Sequence, residues 1–269
     1  MRTENFQNLK IPKIGFGTWK LSGRENFDPA LEKASRAALE SALQVGYTHF
    51  DTAEYYAAGH VEELLGEAIR AGAVPRQNLF ITSKIWPDHL TFNGVLRSCE
   101  KSLERLGMDY LDLYLIHWPS PAMDLAQVFK ALNLLVRSGQ VRNLGVSNFD
   151  LPLLKESVAL SETPLLTNQV PYSLANREYV QNRVLGYCQE NNILLTAYRP
   201  LRDINMGAAS NLQKIAASHR ASPHQVALAW LVNQPGVITI PMSFDRKHQQ
   251  ENLAAADLLL SPAEMEALS

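Results

Sequence analysis

Short apolar runs rich in β-branched and aromatic residues recur along the chain, and several of them are apolar at nearly every position. Strands covered on both faces give continuous runs of this kind, whereas half-exposed strands alternate apolar and polar residues. The pattern predicts eight strands, over Lys13–Trp19, Tyr47–Thr52, Leu79–Lys84, Leu111–Trp118, Asn143–Asn148, Leu165–Tyr172, Ile193–Tyr198 and Val237–Pro241.

Segments with helical spacing separate these runs. The clearest predicted helices cover Glu32–Val45, Glu62–Ala71, Leu90–Leu106 and Ser222–Asn233. A glycine follows directly after each of the first three, and Pro223 lies in the first turn of the fourth. Both features are ordinary signals of helix boundaries.

Strand and helix alternate about once per thirty residues, eight times, with no break in composition. A doubly wound sheet would have a glycine-rich first turn, but no G-x-G-x-x-G occurs after Gly15 and Gly17. The predicted fold class is therefore α/β, a (β/α)8 TIM barrel that forms a single domain over residues 1–269. The Phe6–Ile11 segment is expected to belong to a short N-terminal β-hairpin that caps the barrel.

The composition excludes several classes of function. With 25 Lys and Arg against 27 Asp and Glu, the net charge of −2 provides no basic field for nucleic acid. The two cysteines, Cys99 and Cys188, are far apart, which argues against a disulfide scaffold or a metal site and fits a reducing compartment. No signal-like segment or membrane-length apolar run occurs. We expect a cytoplasmic, monomeric protein without membrane or nucleic-acid partners.

Polar residues end three consecutive predicted strands. Asp51 ends the second strand, Lys84 the third and His117 the fourth. A single polar residue at a strand end is most often a loop cap, but in a barrel these ends converge on the face where active sites are built. Opposite charges on neighbouring strands can pair, and a desolvated lysine perturbs the pKa of any group it contacts.

Tyr56 lies five residues beyond Asp51, in the following loop. A phenol has a pKa of about 10 and is a weak acid at neutral pH without assistance. A nearby lysine stabilises the phenolate and lowers that pKa. An Asp–Lys–Tyr relay beside a histidine would therefore suit donation of a proton to a carbonyl oxygen.

Eight motifs occur in order along the chain, one at each predicted strand: GFGTW (Gly15–Trp19), YTHFDTAEYY (Tyr47–Tyr56), ITSKIW (Ile81–Trp86), LDLYLIHWP (Leu111–Pro119), LGVSNF (Leu144–Phe149), NQVPY (Asn168–Tyr172), AYRPL (Ala197–Leu201) and IPMSFDRKHQQEN (Ile240–Asn252). Together they resemble the aldo-keto reductases, in particular the bacterial members with a short C-terminus. The resemblance covers essentially the whole chain.

The resemblance implies a reduction of aldehydes and ketones by hydride transfer from NAD(P)H. It matches Tyr56 to the general acid, Lys84 to the residue that lowers the pKa of that acid, and Asp51 to the partner of the lysine. His117 matches the imidazole that orients the substrate carbonyl. Tyr55 is an adjacent alternative for the acid, but the five-residue offset from Asp51 selects Tyr56.

The implied cofactor is a nicotinamide dinucleotide, NADP(H) or NAD(H), held without a Rossmann fold. Ser147, Asn148 and Gln169 match the residues that bind the carboxamide, and Tyr198 matches the ring that stacks on the nicotinamide. Ordinary capping of strand ends is the alternative explanation for all four. The remaining predicted cofactor contacts are Gly17, Thr18, Trp19, Arg199, Leu201, Met242, Ser243, His248, Glu251 and Asn252.

The chain departs from the family pattern after the eighth strand. Met242 and His248 stand where many relatives have the lysine and arginine that bind the 2′-phosphate of NADP(H). We expect either a weakened preference for NADPH or compensation by other cations. The candidate cations are Arg199, Arg202, Arg246 and Lys247. The alternative explanation for this cluster of charges is an ordinary solvent-exposed loop.

Trp19, Trp86 and Trp118 match positions that line the substrate pocket of the family and favour flat or apolar substrates. The loop after His117 is short and the chain stops soon after a helical pattern at Pro262–Leu268, so we expect an open site with broad carbonyl tolerance.

Two other functions fit parts of the sequence. Some relatives are cofactor-binding regulatory subunits of membrane channels, although the complete Asp–Tyr–Lys–His set favours catalysis. Lys84 could alternatively be the nucleophile of a Schiff-base aldolase, but Asp51 beside it would keep it protonated and weakly nucleophilic.

Overall fold

Eight strands lie side by side in chain order in a parallel sheet. The computed structural model of the chain describes residues 2–72, 74–204 and 211–269. Within those residues the strands are β1 Thr3–Phe6, β2 Leu9–Pro12, β3 Phe16–Gly17, β4 His49–Asp51, β5 Phe80–Ile85, β6 Leu111–Ile116, β7 Val141–Ser147, β8 Thr167–Pro171, β9 Leu194–Tyr198 and β10 Val237–Thr239. The parallel sheet contains β3 to β10.

Backbone hydrogen bonds between β10 and the segment that leads into β3 close this sheet into a barrel. The amide of Gly15 donates to the carbonyl of Thr239 at 2.8 Å, and the amide of Thr239 donates to the carbonyl of Lys13 at 2.9 Å. At Gly17, an added Cβ would lie 2.5 Å from the carbonyl oxygen of Ile240, so this close approach requires glycine. The predicted (β/α)8 barrel is confirmed.

Helices cover the outside of the barrel. In the described residues they are α1 Glu32–Val45, α2 His60–Ala71, α3 Phe92–Leu106, α4 Leu125–Arg137, α5 Leu151–Leu160, α6 Glu178–Gln181, α7 Val184–Glu190, α8 Asn211–His219, α9 Pro223–Val232, α10 Arg246–Ala254 and α11 Pro262–Leu268. None of these helices combines the length and the apolar character needed to cross a membrane.

Two helix starts differ from the prediction by two residues, each for a local reason. Helix α2 begins two residues earlier than predicted, directly after Gly59, which adopts a left-handed conformation (φ 94°). Helix α3 begins two residues later, because Pro87–His89 forms a separate 3-10 turn and the side chain of Thr91 caps the helix.

The N-terminal hairpin closes the end of the barrel where its strands begin. Strands β1 and β2 pair antiparallel, with Gln7 and Asn8 in left-handed conformations at the turn. The cap is confirmed, although the turn divides the predicted Phe6–Ile11 segment. Phe6 and Leu9 pack against a buried apolar cluster of Ile11, Leu113, Leu115, Leu166, Leu194 and Ile238. The polar residues Asp51, Lys84 and His117 lie at the opposite end of the barrel, where the strands terminate.

Candidate active site

A buried ion pair forms where β4 and β5 end. Lys84 is fully buried, and its ammonium pairs with Oδ1 of Asp51. The same ammonium donates to the carbonyl of Thr52 at 2.8 Å and to the hydroxyl of Tyr56 at 3.4 Å. Burial alone would lower the pKa of Lys84, because it disfavours the ammonium form. The interactions with Asp51 and Tyr56 outweigh this effect of burial and raise the pKa of Lys84. Lys84 is therefore held as an ammonium ion, a poor nucleophile for the aldolase alternative.

Tyr56 lies midway along the loop between β4 and α2, with its side chain buried against this pair. Burial raises the pKa of Tyr56, and the Lys84 ammonium opposes that rise. The expectation of a pKa lowered overall is thus too simple, because the desolvation of the phenol is the larger effect. The ammonium keeps the phenol more acidic than the same buried phenol would be alone.

The loop that carries Tyr56 has an unusual backbone. Ala57 and Ala58 have φ values of 49° and 55°, in the left-handed region that non-glycine residues seldom adopt. The amide of Ala57 donates to the carbonyl of Arg24 at 2.7 Å, which ties this loop to the segment after β3. Tertiary contacts therefore hold the turn that directs Tyr56 inward.

His117 follows β6 and faces Tyr56, with their ring centroids 5.7 Å apart. Its Nδ1 is buried without a hydrogen-bond partner among the described residues. Burial, with a smaller contribution from the Lys84 charge, lowers the pKa of His117 well below its ordinary value. The ring is therefore a neutral imidazole, able to donate a single N–H to a carbonyl oxygen.

A cleft of about 940 Å³ opens at this end of the barrel, near the upper limit of the ~300–1,000 Å³ common for ligand sites. Asp51, Tyr56 and His117 line it, while Lys84 lies beneath them. The three predicted substrate tryptophans also line this cleft: Trp19, Trp86 and Trp118. Trp118 is 43% exposed, so it belongs to the rim.

The residues predicted to bind the nicotinamide lie in the same cleft. The side-chain amide of Asn148 donates to the carbonyl of His117 and to the hydroxyl oxygen of Ser147, each at 3.0 Å. The hydroxyl of Tyr198 donates to Oδ1 of Asn148 at 2.8 Å, and the amide of Gln169 donates to Oδ2 of Asp51 at 2.7 Å. The predicted catalytic and cofactor groups thus form one hydrogen-bonded network.

This network fits the nicotinamide end of a dinucleotide. Two side-chain amides and a hydroxyl beside an aromatic ring provide the donors, acceptors and apolar face that a carboxamide-bearing ring requires. The other predicted contacts on this side also line the cleft: Gly17, Thr18, Arg199 and Leu201. Thr18 has a structural role as well, because its hydroxyl donates to the carbonyl of Asp51 at 2.9 Å.

The residues predicted for the adenosine end are arranged differently. Met242 lines the cleft and packs partly against the hydrophobic core. The other four lie outside the lining of the cleft, between β10 and the last turns of α10: Ser243, His248, Glu251 and Asn252. Asn252 is buried, whereas the side chain of His248 is 64% exposed.

Most of the cations proposed to compensate for Met242 have protein partners. Arg246 donates to the side-chain oxygen of Gln44 on α1 at 2.9 Å. Lys247 lies 3.8 Å from Glu251, and Arg202 lies 3.2 Å from Asp203. Arg199 lies over the Tyr198 ring, with its guanidinium carbon 5.7 Å from the ring centroid.

Asp245 was not singled out by the sequence reasoning. Its carboxylate caps α10 by accepting the amide of His248 at 3.0 Å, and it is exposed. The sequence did offer a signal for this cap, because an aspartate directly before R-K-H is a typical residue at the start of a helix. This carboxylate lies directly before Arg246 and Lys247, so it reduces the positive charge that these two residues give to the start of α10.

Comparisons with known proteins agree with this fold and site. The sequence model of the Aldo/keto reductase family matches residues 13–269. The methylglyoxal reductase YeaE of Escherichia coli is 35% identical over 97% of this chain and 91% of its own. The glyoxal reductase of Bacillus subtilis is 36% identical over 97% and 88%.

Solved structures extend the likeness to three dimensions. The thermostable aldo-keto reductase Tm1743, solved with the inhibitor epalrestat, has a TM-score of 0.95 and 42% identity over 100% of this chain and 98% of its own. An aldo-keto reductase from Klebsiella pneumoniae in complex with NADPH has a TM-score of 0.86 and 35% identity over 99% and 93%.

The barrel and its strand-end site define a nicotinamide-dependent carbonyl reductase. The chain belongs to the aldo/keto reductase family. It is an oxidoreductase that reduces aldehydes or ketones with NAD(P)H, and these findings favour that function over the regulatory-subunit alternative.

Proposed function

We propose that Tyr56 is the general acid of this reductase, that His117 orients the substrate carbonyl, and that Lys84 and Asp51 control the proton affinity of Tyr56. The observation that carries the proposal is the arrangement of these groups. The Tyr56 hydroxyl is 3.4 Å from a buried ammonium, next to a neutral imidazole in the cleft that holds the nicotinamide-binding amides.

The nicotinamide, when bound, supplies the hydride that adds to the carbonyl carbon. Ser147, Asn148 and Gln169 bind its carboxamide, and Tyr198 provides the ring on which it stacks. Gln169 also donates to Asp51, so the group that binds the carboxamide is connected to the group that holds Lys84. This connection would couple the binding of the carboxamide to the position of the proton donor.

During reduction the carbonyl oxygen lies between the Tyr56 hydroxyl and the His117 imidazole. The imidazole donates a hydrogen bond that polarises the carbonyl, and Tyr56 transfers its proton to the oxygen as negative charge develops there. The resulting phenolate is stabilised by Lys84, whose charge is balanced by Asp51.

Small 2-oxoaldehydes are proposed as substrates, within a broad range of aldehydes and ketones. Two relatives are named methylglyoxal reductase and glyoxal reductase, which supports compounds of this size. The open cleft supports tolerance of larger groups beyond the carbonyl.

Discrimination between NADPH and NADH is proposed to be weak. Met242 supplies no charge for a 2′-phosphate, Arg246 is directed to Gln44 on α1, and the Asp245 carboxylate repels an anion. Arg199 and Arg202 remain on the cofactor side of the cleft and would bind the shared diphosphate. Titration of the tryptophan fluorescence with each cofactor gives the two dissociation constants directly.

The cytoplasmic location, the monomeric state and the single-domain organisation stay predictions. Cys99 and Cys188 are buried free thiols, which supports a reducing compartment. Size-exclusion chromatography with light scattering tests the monomer, and limited proteolysis tests the single domain.

Reduction of methylglyoxal by the purified protein, followed by the loss of NADPH or NADH absorbance, tests the proposed function. Turnover that Tyr56→Phe abolishes supports it. Tight cofactor binding without turnover of any carbonyl compound would instead support a cofactor-binding regulatory subunit.

A further inference from the structure

Glu54 lies between the two chain segments that carry the proposed acid and its lysine. It comes three residues after the end of β4 and two residues before Tyr56, whereas Lys84 lies near the end of β5, two residues before Trp86. The side chain of Glu54 is only 8% exposed. Glu54 is not one of the described residues that line the cleft, so any effect it has on the reaction acts through its neighbours.

The backbone of Glu54 continues the pairing of β4 with β5 beyond the end of β4. The amide of Thr52 donates to the carbonyl of Thr82 at 2.9 Å, and the amide of Glu54 donates to the carbonyl of Lys84 at 3.3 Å. The second distance is longer than the ~2.7–3.2 Å usual for such bonds. The backbone alone therefore holds the loop of Tyr56 weakly where it leaves the barrel.

The carboxylate of Glu54 provides a stronger connection. Its Oε1 accepts the backbone amide of Trp86 at 2.6 Å and lies 2.9 Å from Nδ1 of His89. A hydrogen bond from an amide to an ionised carboxylate is charge-assisted and stronger than one between neutral groups. The side chain thus joins the loop that carries Tyr56 to the segment directly after Lys84. The contacts of Glu54 with Lys84 and Trp86 are called the Glu54 clamp below.

The contact between the phenol and the ammonium is sensitive to a small displacement of this loop. The Tyr56 hydroxyl is 3.4 Å from Nζ of Lys84, at the long end of the hydrogen-bond range. The loop continues through Ala57 and Ala58, whose left-handed conformations persist only where surrounding contacts hold them. Loss of an anchor on this loop would therefore change the separation of the two groups.

We propose that Glu54 is a positioning residue, which holds the loop of Tyr56 at the distance from Lys84 at which the ammonium assists proton donation. It does so through the reach of its side chain and not through its charge. The charges that act on the pKa of Tyr56 are those of Lys84, Asp51 and Arg199. This inference rests on the proposed function, because it assigns a role in the same proton transfer.

Two conservative variants separate the reach of Glu54 from its charge. Glu54→Gln keeps the length of the side chain and an oxygen acceptor but removes the charge. Glu54→Asp keeps the charge but is one methylene shorter, so it cannot reach the amide of Trp86 unless the loop moves. Glu63→Asp is the matched control, because Glu63 is a half-exposed residue of α2 whose carboxylate contacts His60.

The rate of NADPH oxidation by methylglyoxal in a single turnover, followed by stopped-flow absorbance, isolates the chemical step from product release. Glu54→Asp should lower this rate by about tenfold, because a displaced catalytic group no longer meets the substrate in the productive geometry. Glu54→Gln should keep the rate within about threefold, and Glu63→Asp within about twofold. The dissociation constant of NADPH should change less than about twofold in all three variants. Thermal melting confirms that each variant is folded.

Amide hydrogen exchange at Trp86 in the cofactor-free protein, measured by NMR, tests the clamp without turnover. Loss of the bond from this amide to Glu54 should accelerate its exchange by about tenfold or more in Glu54→Asp. Glu54→Gln retains an acceptor and should exchange at nearly the natural rate. A role of Glu54 in overall stability alone would instead accelerate exchange at protected amides throughout the barrel.

A single-turnover rate lowered as much in Glu54→Gln as in Glu54→Asp, or unchanged in both, would overturn the positioning role of Glu54. Exchange of the Trp86 amide that is unchanged in Glu54→Asp would overturn the clamp itself. Failure of the natural protein to reduce any carbonyl compound would instead overturn the proposed function, and the exchange measurement would still test the clamp.

Discussion

The side-chain amide of Gln169 donates a hydrogen bond to Oδ2 of Asp51 over 2.7 Å, while Oδ1 of the same carboxylate pairs with Lys84. One carboxylate therefore joins a residue proposed to bind the nicotinamide carboxamide to the ammonium proposed to tune Tyr56. This contact links residues 118 positions apart in the chain.

Gln169→Leu removes both the bond to Asp51 and a proposed cofactor contact. Hydrogen bonds to charged groups contribute about 1.5–3 kcal/mol, so we expect cofactor affinity and kcat each to fall by roughly tenfold or more. Fluorescence titration and steady-state kinetics measure the two effects. Unchanged kcat with weakened cofactor binding would show that the bond to Asp51 has no part in catalysis.

Lys84→Met removes the ammonium that opposes the effect of burial on Tyr56. The pKa of Tyr56 should rise, because burial and the Asp51 charge both raise it and only the more weakly acting Arg199 charge then opposes them. In alcohol oxidation, which needs the phenolate, the pH at which the rate is half-maximal should therefore move upward. The pH profile of kcat in that direction measures the shift, and a profile identical to that of the natural enzyme would contradict the role of Lys84.

The same substitution leaves Asp51 buried without its ion-pair partner, so folding must be checked separately. Breaking a buried pair typically destabilises by about 3–5 kcal/mol. The double variant Lys84→Met with Asp51→Asn is the control, because it removes the uncompensated carboxylate and should recover part of the stability.

His49 makes the stability of the fold dependent on pH. It is buried inside the barrel, and burial lowers its pKa to about 4 from the ordinary 6.5. Between pH 6.5 and 4 the unfolded chain takes up a proton that the folded chain does not. Stability must then fall as the pH falls through this window, by up to about 3 kcal/mol.

Urea unfolding of the natural protein and of His49→Asn at pH 7 and pH 5 measures this contribution. The natural protein should lose more of its unfolding free energy over the interval than the variant does. Equal losses in the two proteins would mean that His49 titrates alike in the folded and unfolded states.

Met242→Lys should strengthen NADPH binding relative to NADH. The family resemblance matches position 242 to a residue that binds the 2′-phosphate, so a lysine there would make a charge-assisted hydrogen bond to it and shift the ratio of the two dissociation constants toward NADPH by about tenfold. Met242→Leu is the matched apolar control and should leave the ratio unchanged. A strong NADPH preference already present in the natural protein would contradict the weak discrimination proposed here.

Much of the fold was predictable because barrel strands are buried on both faces and repeat at a regular interval. Asp51, Lys84 and His117 could be placed together from their positions at strand ends, without knowing any side-chain contact. The strand limits were less predictable. Lys13–Trp19, for example, contains only a two-residue strand, because Lys13 and Gly15 join the barrel through hydrogen bonds to Thr239 that belong to its closure.

Interactions between distant residues were not predictable from the pattern. They depend on side-chain conformations that only the folded chain determines. Examples are the hydrogen bond from Gln169 to Asp51, the hydrogen bond from Arg246 to Gln44 and the stacking of Tyr55 on Trp86. The net effect on the pKa of Tyr56 was also missed, because the sequence identifies the lysine but gives no measure of desolvation.

The turnover of methylglyoxal by Tyr56→Phe, compared with Tyr55→Phe, tests the central claim most directly. The account predicts that Tyr56→Phe lowers kcat by about 10²–10⁴-fold while its cofactor affinity stays within about threefold, because only the proton donor is removed. A kcat within about tenfold of the natural enzyme in Tyr56→Phe, or an equal loss in Tyr55→Phe, would contradict the assignment of Tyr56 as the general acid.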